Sequence, residues 1–394
     1  MLNRVPIIIR RGLFVVVGFV ALLLSAQTLV VLGLANPVVV QGSSMAPTLE
    51  GRRWVLDCPR CGRTATIGID QRLAAPPPEC LICSHPLADD AVRLVGADRL
   101  WIDRAPGRLR RWDLVVFRCP YDAQTYCIKR VVGLPGETVS LDAGDVLING
   151  GRATKPLATQ LRVRRLEHTP SETLPGWAAT SGNWRLQQNA WRGIAEDGRI
   201  AELRYLAPVH DDLPGNVGVS RRFNPLSDLM VEADVEQAAN ARWQIQLPGG
   251  HATLDAGRGT LSLSNGAREE LVDLPAPLRR VLFSNFDRTL LAAVNGEAVL
   301  RLPVVDARMN PRPVVRVLEA SVELGGLSLY KDLFYEGTPL AFGAAGDQPW
   351  RIGPGEYFVL GDNQAVSVDS RRWDSGPGLP RRLIVGRPHR WRQQ

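Results

Sequence analysis

Residues 12–35 read GLFVVVGFVALLLSAQTLVVLGLA, an apolar run of 24 residues without a charge. At about 1.5 Å per residue such a run crosses a hydrocarbon core of roughly 30 Å, so the pattern predicts one transmembrane helix. A cleaved signal peptide is the competing reading, but its apolar core is shorter, about 7–15 residues. Arg4, Arg10 and Arg11 precede the run, and residues 36–50 contain no Lys or Arg. The positive-inside rule then puts residues 1–11 in the cytoplasm and everything after residue 35 outside. No later segment is apolar enough to span.

Past the anchor, short alternating stretches bounded by Gly, Pro and Asn replace the continuous run, and alternation of period two predicts strands. In the C-terminal part of the region 151–345 they fall at 229–235, 243–247, 260–264, 280–285, 290–294, 297–302 and 319–330. Asn295-Gly296 between two of them is a two-residue hairpin signal. Strands at such short intervals predict an antiparallel, jelly-roll-like sandwich of the lectin and laminin-G kind. The expected fold class is mainly β, and the content of 37 Gly and 29 Pro suits turn-rich β structure. The length of 394 residues predicts two or three domains. The net charge of +7 is concentrated in residues 371–394, which hold seven Arg against one Asp. The rest is near neutral, so no basic stripe argues for nucleic acid, and the tail suits anionic lipid instead.

Three segments carry candidate chemistry. Directly after the anchor comes Gln41-Gly42-Ser43-Ser44-Met45-Ala46-Pro47-Thr48-Leu49, where Pro47 restricts its predecessor and holds Ser44 on a stiff loop or strand end. A serine needs a base to become a nucleophile. Of 47 basic residues only three are lysines, Lys129, Lys155 and Lys331. An ammonium can lose its proton where a guanidinium cannot, which singles out Lys129 in Ile128-Lys129-Arg130-Val131-Val132-Gly133. Its β-branched neighbours predict a strand, and alternation points Lys129 and Arg130 to opposite faces, one of them inward. A snorkelling surface lysine is the plainer alternative. The third segment runs from Gly355 to Trp373, a hydrophobic strand into Gly361-Asp362-Asn363, then Ser367, Asp369 and Arg371 on alternate positions.

Together these segments resemble bacterial type I signal peptidase, the membrane-bound Ser/Lys protease that removes signal peptides. The resemblance rests on SMAPTL at residues 44–49, RRWDLVVF at 110–117, IKRVVGLPGE at 128–137 and GDNxxxSxDSRxW at 361–373, in the family's order. Ile384-Val385-Gly386 fits the closing segment. The resemblance implies that Ser44 is the acylating nucleophile and Lys129 its neutral general base. It implies that Ser367 hydrogen-bonds and orients the Lys129 amine, that Asp369 and Arg371 pair as scaffold, and that the Ser44 backbone N–H is one oxyanion donor. It also implies preprotein substrates cut after small residues (Ala-x-Ala), no cofactor for catalysis, and the lipid bilayer and secretion translocon as partners. The place implied is the bacterial inner membrane, with the catalytic domain on the periplasmic side. Two departures stand out: Gly42 takes the position where some members have a second, serine oxyanion donor, and Gln364 and Ala365 replace more polar residues.

The resemblance covers the anchor and residues 36–57, 94–150 and 346–394, expected to form the catalytic domain. Residues 58–93 contain Cys58-x2-Cys61 and Cys80-x2-Cys83, a spacing that predicts a zinc ribbon with structural Zn²⁺. Two disulfides or a redox pair are the alternatives, and His85 is a substitute ligand or an ordinary surface histidine. Cys119 and Cys127 flank a short loop and could bridge. Residues 151–345 form the β-rich insertion, in which Glu232, Asp234 and Glu236 share one strand face. That face is either a solvated acidic surface or, by analogy with certain jelly-roll glycosidases, a catalytic one. The rival functions are a membrane-anchored non-catalytic protein with a carbohydrate- or protein-binding module, a sandwich glycosidase on a vestigial protease frame, and a Ser/Lys peptidase of the self-cleaving repressor type.

Overall fold

The computed structural model describes residues 7–29, 35–71, 75–105, 107–169, 176–196, 198–305, 312–337 and 349–390. It is mainly β. The helix Ile7–Leu29 opens the chain, with Leu13, Phe14, Phe19 and Leu22 exposed. Among the described residues no helix is long and apolar enough to cross a membrane. The transmembrane span expected over 12–35 is therefore not supplied by the fold, and residues 30–34 of it lie outside the described residues.

The first sheet is built from segments distant in sequence, and all its pairings are antiparallel. The edge strand Ala35–Val39 pairs with Arg99–Asp103, which pairs with Ile384–Arg390. Next come Leu114–Cys119, the twelve-residue strand Asp122–Gly133, Glu356–Leu360 and Leu379–Pro380. A four-stranded sheet (Gly151–Arg152, Asp145–Ile148, Thr138–Asp142, Trp350–Arg351) packs beside it, burying Val132, Val139, Val146 and Phe358. Both faces of the central strand are covered, because Phe117, Val131, Val359 and Trp373 fill the other side. Lys129 and Arg130 are consequently both buried, at 4% and 3% exposure, although alternation sends them opposite ways. Alternation required one of them to face inward; a sheet covered on both faces buries the other as well.

The strands Arg53–Asp57, Thr64–Gly68 and Val92–Val95 form a small sheet carrying the cysteine knuckles. From residue 165 to 331 two antiparallel sheets face each other over a core that includes Trp177, Trp184, Trp191 and Trp243. The sandwich begins earlier than the alternation indicated. Arg165–His168, Trp177–Ser181, Asn183–Gln187, Ala190–Ile194 and Ala201–Tyr205 all belong to it. The strand expected over 319–330 is found as Ser321–Lys331, and the alternation missed the strand before it, Val314–Glu319, which belongs to the opposite sheet. Ala320 between them, at φ 56°, turns the chain across the sandwich.

A buried charged seam joins the sandwich to the first two sheets. Lys155 Nζ lies 2.5 Å from Asp287 and 2.7 Å from Asp332, and stands over the Trp112 ring. Asp145 and Asp228 approach the same seam, within 4.8 Å of Asp287. Burial first, then the carboxylates of Asp145, Asp332 and Asp287, hold the Asp228 carboxyl well above its ordinary 3.8. Burial likewise raises Asp145 to about 6 and Asp332 to about 7. A raised folded-state pKa gives stability that is complete below the unfolded value and is lost as the pH climbs through the folded value. Asp228→Asn removes one such group while keeping an acceptor for the Asp287 N–H, which donates to Asp228 at 2.8 Å. Its melting temperature should equal that of the wild type near pH 4 and exceed it increasingly toward pH 8; parallel melting curves across that range would refute the assignment.

Candidate active site

Ser44 sits in a run of turns over residues 43–49, closed by Ala46 N–H to Ser43 O (3.0 Å) and Leu49 N–H to Met45 O (3.0 Å). This is a compact loop, as the sequence suggested, and no strand end. The central strand delivers Lys129 to it, with Nζ 2.6 Å from Ser44 Oγ. Cys119 and Cys127, on the hairpin that carries Lys129, are disulfide-bonded with Cα atoms 5.5 Å apart. Burial depresses the Lys129 amine from 10.5 to about 8, opposed by the charges of Asp369 and Asp362 and assisted by Arg371. A near-neutral amine beside a hydroxyl can accept its proton at mildly alkaline pH.

The two carboxylates near Lys129 already have guanidinium partners. Arg371 donates to both oxygens of Asp369 at 2.8 Å, and Gly361 N–H adds a third bond at 3.0 Å. Arg130 donates to both oxygens of Asp362 at 2.8 and 2.6 Å, and the Thr48 hydroxyl donates to the same carboxylate. Burial alone would raise either carboxyl, but the charge of its arginine wins and holds it below the ordinary range. Ser367 is fully buried, and its hydroxyl donates to Asp369 Oδ2 at 2.8 Å. Its hydrogen bond therefore goes to the carboxylate, where the resemblance implied the Lys129 amine.

Several residues of the site carry no role in the sequence reading. Asn363 N–H donates to Ser44 O at 3.0 Å and its side-chain amide to Ser43 O at 3.1 Å. Asn216, from the insertion, exchanges two amide hydrogen bonds with Asn363 at 2.8 and 2.9 Å. Asp70, from the cysteine module, accepts the Ser43 N–H at 3.0 Å and the Ser43 hydroxyl at 2.5 Å. Arg130 and Asn363 lie inside the boxes already noted; Asp70 and Asn216 had no local signal, because only the fold brings their segments to the serine turn. Glu232 and Asp234, in contrast, lie on the outer sheet face, in ion pairs with Arg164 (2.9 Å) and Arg280 (2.7 Å). Ala233 and Val235 between them point into the sandwich core. That is the arrangement of a polar outer face.

Ser44 and Lys129 open into a groove of about 600 Å3 lined by Val38, Val39, Val40, Met45, Ile128 and Val368 among others. The strand Ala35–Val39 is the sheet's edge, so its second side carries no pairing among the described residues. Away from this groove, Cys58, Cys61, Cys80 and Cys83 bring their sulfurs within 4.8 Å of one another. Cys58 and Cys83 Sγ are 3.6 Å apart, Cys61 and Cys80 3.7 Å. Four thiolates about 2.3 Å from a tetrahedral ion stand about 3.8 Å apart, so the set fits Zn²⁺. Gly62 N–H to Cys58 O and Ser84 N–H to Cys80 O close the two knuckles at 2.9 Å each. His85 is not among the clustered ligands.

The profile of one protein family, described as "Signal peptidase, peptidase S26", matches residues 11–190 and 334–391. Solved structures with partial likeness include the carbohydrate-binding module CBM66 from Bacillus subtilis, at 13% identity over 39% of this chain and 94% of that one, TM-score 0.30. Others are the binding domain of botulinum neurotoxin serotype D (10%, 44% of this chain and 48% of that one, TM-score 0.30) and the β-glucanase of Bacillus licheniformis (9%, 40% and 92%, TM-score 0.29). Likenesses this distant carry no argument about ligand or activity.

Close approach at one glycine tests the geometry. A Cβ on Gly361 would stand 2.1 Å from Ser367 Oγ and 2.7 Å from Ser44 O. Gly361→Ala should push the serine turn away from Lys129, slowing labelling of Ser44 by a serine-directed fluorophosphonate by about 100-fold, the scale of a 1 Å misplacement. An unchanged labelling rate would show that the turn is not held by this contact.

Proposed function

The chain belongs to the signal peptidase family, peptidase S26, and from that premise we propose that it is a membrane-bound serine endopeptidase of the type I class, in which Ser44 attacks and Lys129 is the general base. The observation that carries this reading is the 2.6 Å approach of a buried, depressed-pKa amine to the Ser44 hydroxyl. Neutral Lys129 takes the Ser44 proton as Oγ bonds to the scissile carbonyl carbon, and the amine returns that proton to the leaving nitrogen. Water, deprotonated by the same amine, then releases the acyl group from Ser44. The Ser44 N–H donates to no other group among the described residues, which leaves it available to the oxyanion. Asp369 and Arg371 form a neutral pair behind the amine, and Ser367 holds Asp369 in place.

Substrates on this reading are preproteins that present Ala-x-Ala in extended form. Such a segment would add as a strand beside Ala35–Val39, with its small alternate side chains toward the apolar lining of the groove. The uncharged run 12–35 is the proposed anchor, and it would keep Ser44 at the outer surface of the inner membrane. Zn²⁺ on Cys58, Cys61, Cys80 and Cys83 is proposed as structural, since four thiolates leave no open coordination position.

Cleavage of a lipid-reconstituted preprotein ending in Ala-x-Ala tests the activity. Wild type should cut at that junction and Ser44→Ala should not; equal processing by both would remove Ser44 as the nucleophile. Because the neutral amine is the active form, kcat/KM should rise with pH and level off above about 8. Lys129→Arg should lose turnover at every pH, since guanidinium keeps its proton. A flat pH profile between 6 and 9, or an active arginine variant, would eliminate Lys129 as base. For the metal, Cys80→Ser should lower thermal stability and zinc content together by elemental analysis. Full zinc content in that variant would exclude the four-cysteine site.

A further inference from the structure

On the far side of the serine turn, a second cavity of about 700 Å3 opens between the peptidase sheet and the start of the insertion. Thr48 and Leu49 form part of its wall, and Asp113 is the one acidic residue among those lining it. Against that single carboxylate stand Arg130, Arg162, Arg164, Arg165, Arg387 and Arg390. Three of these are occupied: Arg130 by Asp362, Arg164 by Glu232 and the Tyr330 face, and Arg390 by Thr48 O and Asp98. The others have donors to spare. Arg165 is only 7% exposed; it donates to the Asp362 carbonyl and lines the cavity with no carboxylate paired to it. Arg387 uses one terminal nitrogen for both Asp113 (2.8 Å) and the Arg108 carbonyl (2.6 Å), which leaves its other terminal nitrogen uncommitted. Arg162 reaches the cavity from the last turn of the helix Leu157–Val163.

We propose that this cavity binds a phosphate group, with Arg162, Arg165 and Arg387 as its principal donors. A guanidinium fork matches phosphate oxygens in pairs, and six guanidinium groups set against one carboxylate around a single cavity select an anion rich in acceptors. The volume exceeds that of a bare phosphate and suits a phosphate carried on a larger body, such as a lipid headgroup. Placement favours the lipid source. Arg387 stands opposite Asp103, and Asp103 opposite Ala35, so Arg387 lies level with the residue that ends the apolar run 12–35. Two strand spacings separate Arg387 from that residue, about 10 Å. The lipid source rests on the proposed anchor; phosphate recognition itself does not.

The test is calorimetric titration of the full chain in neutral detergent with inorganic pyrophosphate, and separately with dihexanoyl phosphatidic acid. Saturable one-to-one binding is expected, weakened about tenfold or more in Arg162→Gln/Arg387→Gln, in keeping with the loss of two charge-assisted donors. Arg185→Gln/Arg192→Gln, an equal charge change at exposed positions on the sandwich, should bind as wild type does. Arg162→Gln alone removes a partly solvent-facing side chain and should by itself weaken binding severalfold, which keeps the test valid should the double variant fail to fold. Tighter binding of the phosphatidic acid would identify the headgroup as the source, and tighter binding of pyrophosphate a soluble phosphate; either supports the site. Absence of saturable binding by both probes, or equal weakening in the two double variants, would overturn it. Because the readout is binding, its failure leaves the peptidase reading untouched, and an inactive peptidase would leave this site standing.

Discussion

The structure depends on keeping one amine buried without giving it a carboxylate of its own. Lys129 and Lys155 are equally inaccessible, and burial depresses both. Lys155 meets Asp287 and Asp332 directly, and their charges more than reverse the effect, so it stays firmly protonated. Around Lys129 the nearest carboxylates, Asp369 and Asp362, are already bound by Arg371 and Arg130. Their attraction for the amine is thereby partly cancelled, and burial prevails. The difference in this chain between a firmly protonated lysine and one whose pKa is depressed is therefore whether a guanidinium reached the carboxylate first.

That arrangement requires the serine turn to stay where it is, and three parts of the chain hold it. Asn363 follows the strand Glu356–Leu360 and clasps the carbonyls of Ser43 and Ser44. Asp70 reaches Ser43 from the cysteine module, and Asn216 reaches Asn363 from the insertion. The two insertions are thus joined to the site by buried hydrogen bonds, which are strong where water is excluded. Loosening of the cysteine module or of the sandwich would be felt at Ser44 through these contacts.

The pattern of hydrophobic positions made the β character and the later strands of the sandwich readable, because strands such as Thr289–Val294 and Glu297–Pro303 are bounded by clear turn signals like Asn295-Gly296. The early strands were not readable. Trp177–Ser181 and Asn183–Gln187 each bury little besides a tryptophan and are otherwise polar, so their pairing partners define them more than their own alternation does. Val314–Glu319 went unread for a related reason: the crossing at Ala320 that ends it is a backbone event with no Gly or Pro to mark it. Ser367 was legible as sharing a face with Asp369 and Arg371 in the last box, but the acceptor of its hydroxyl, Asp369 Oδ2, was a matter of side-chain direction.

By itself the sequence determined the residue types that chemistry demands: a serine in a constrained turn, a lysine in a chain that otherwise uses arginine, four cysteines in two Cys-x2-Cys pairs, and an apolar run of 24 residues without a charge. These are local properties, fixed by spacing and by what each side chain can donate or accept. Only the tertiary structure decided that both Lys129 and Arg130 are buried, which carboxylate each arginine neutralises, and that Asp70 and Asn216 brace the loop of Ser44. Those are long-range facts, since Arg130 and Asp362 are 232 positions apart along the chain yet in contact. Desolvation and charge act on distances in space, and a one-dimensional pattern does not contain them.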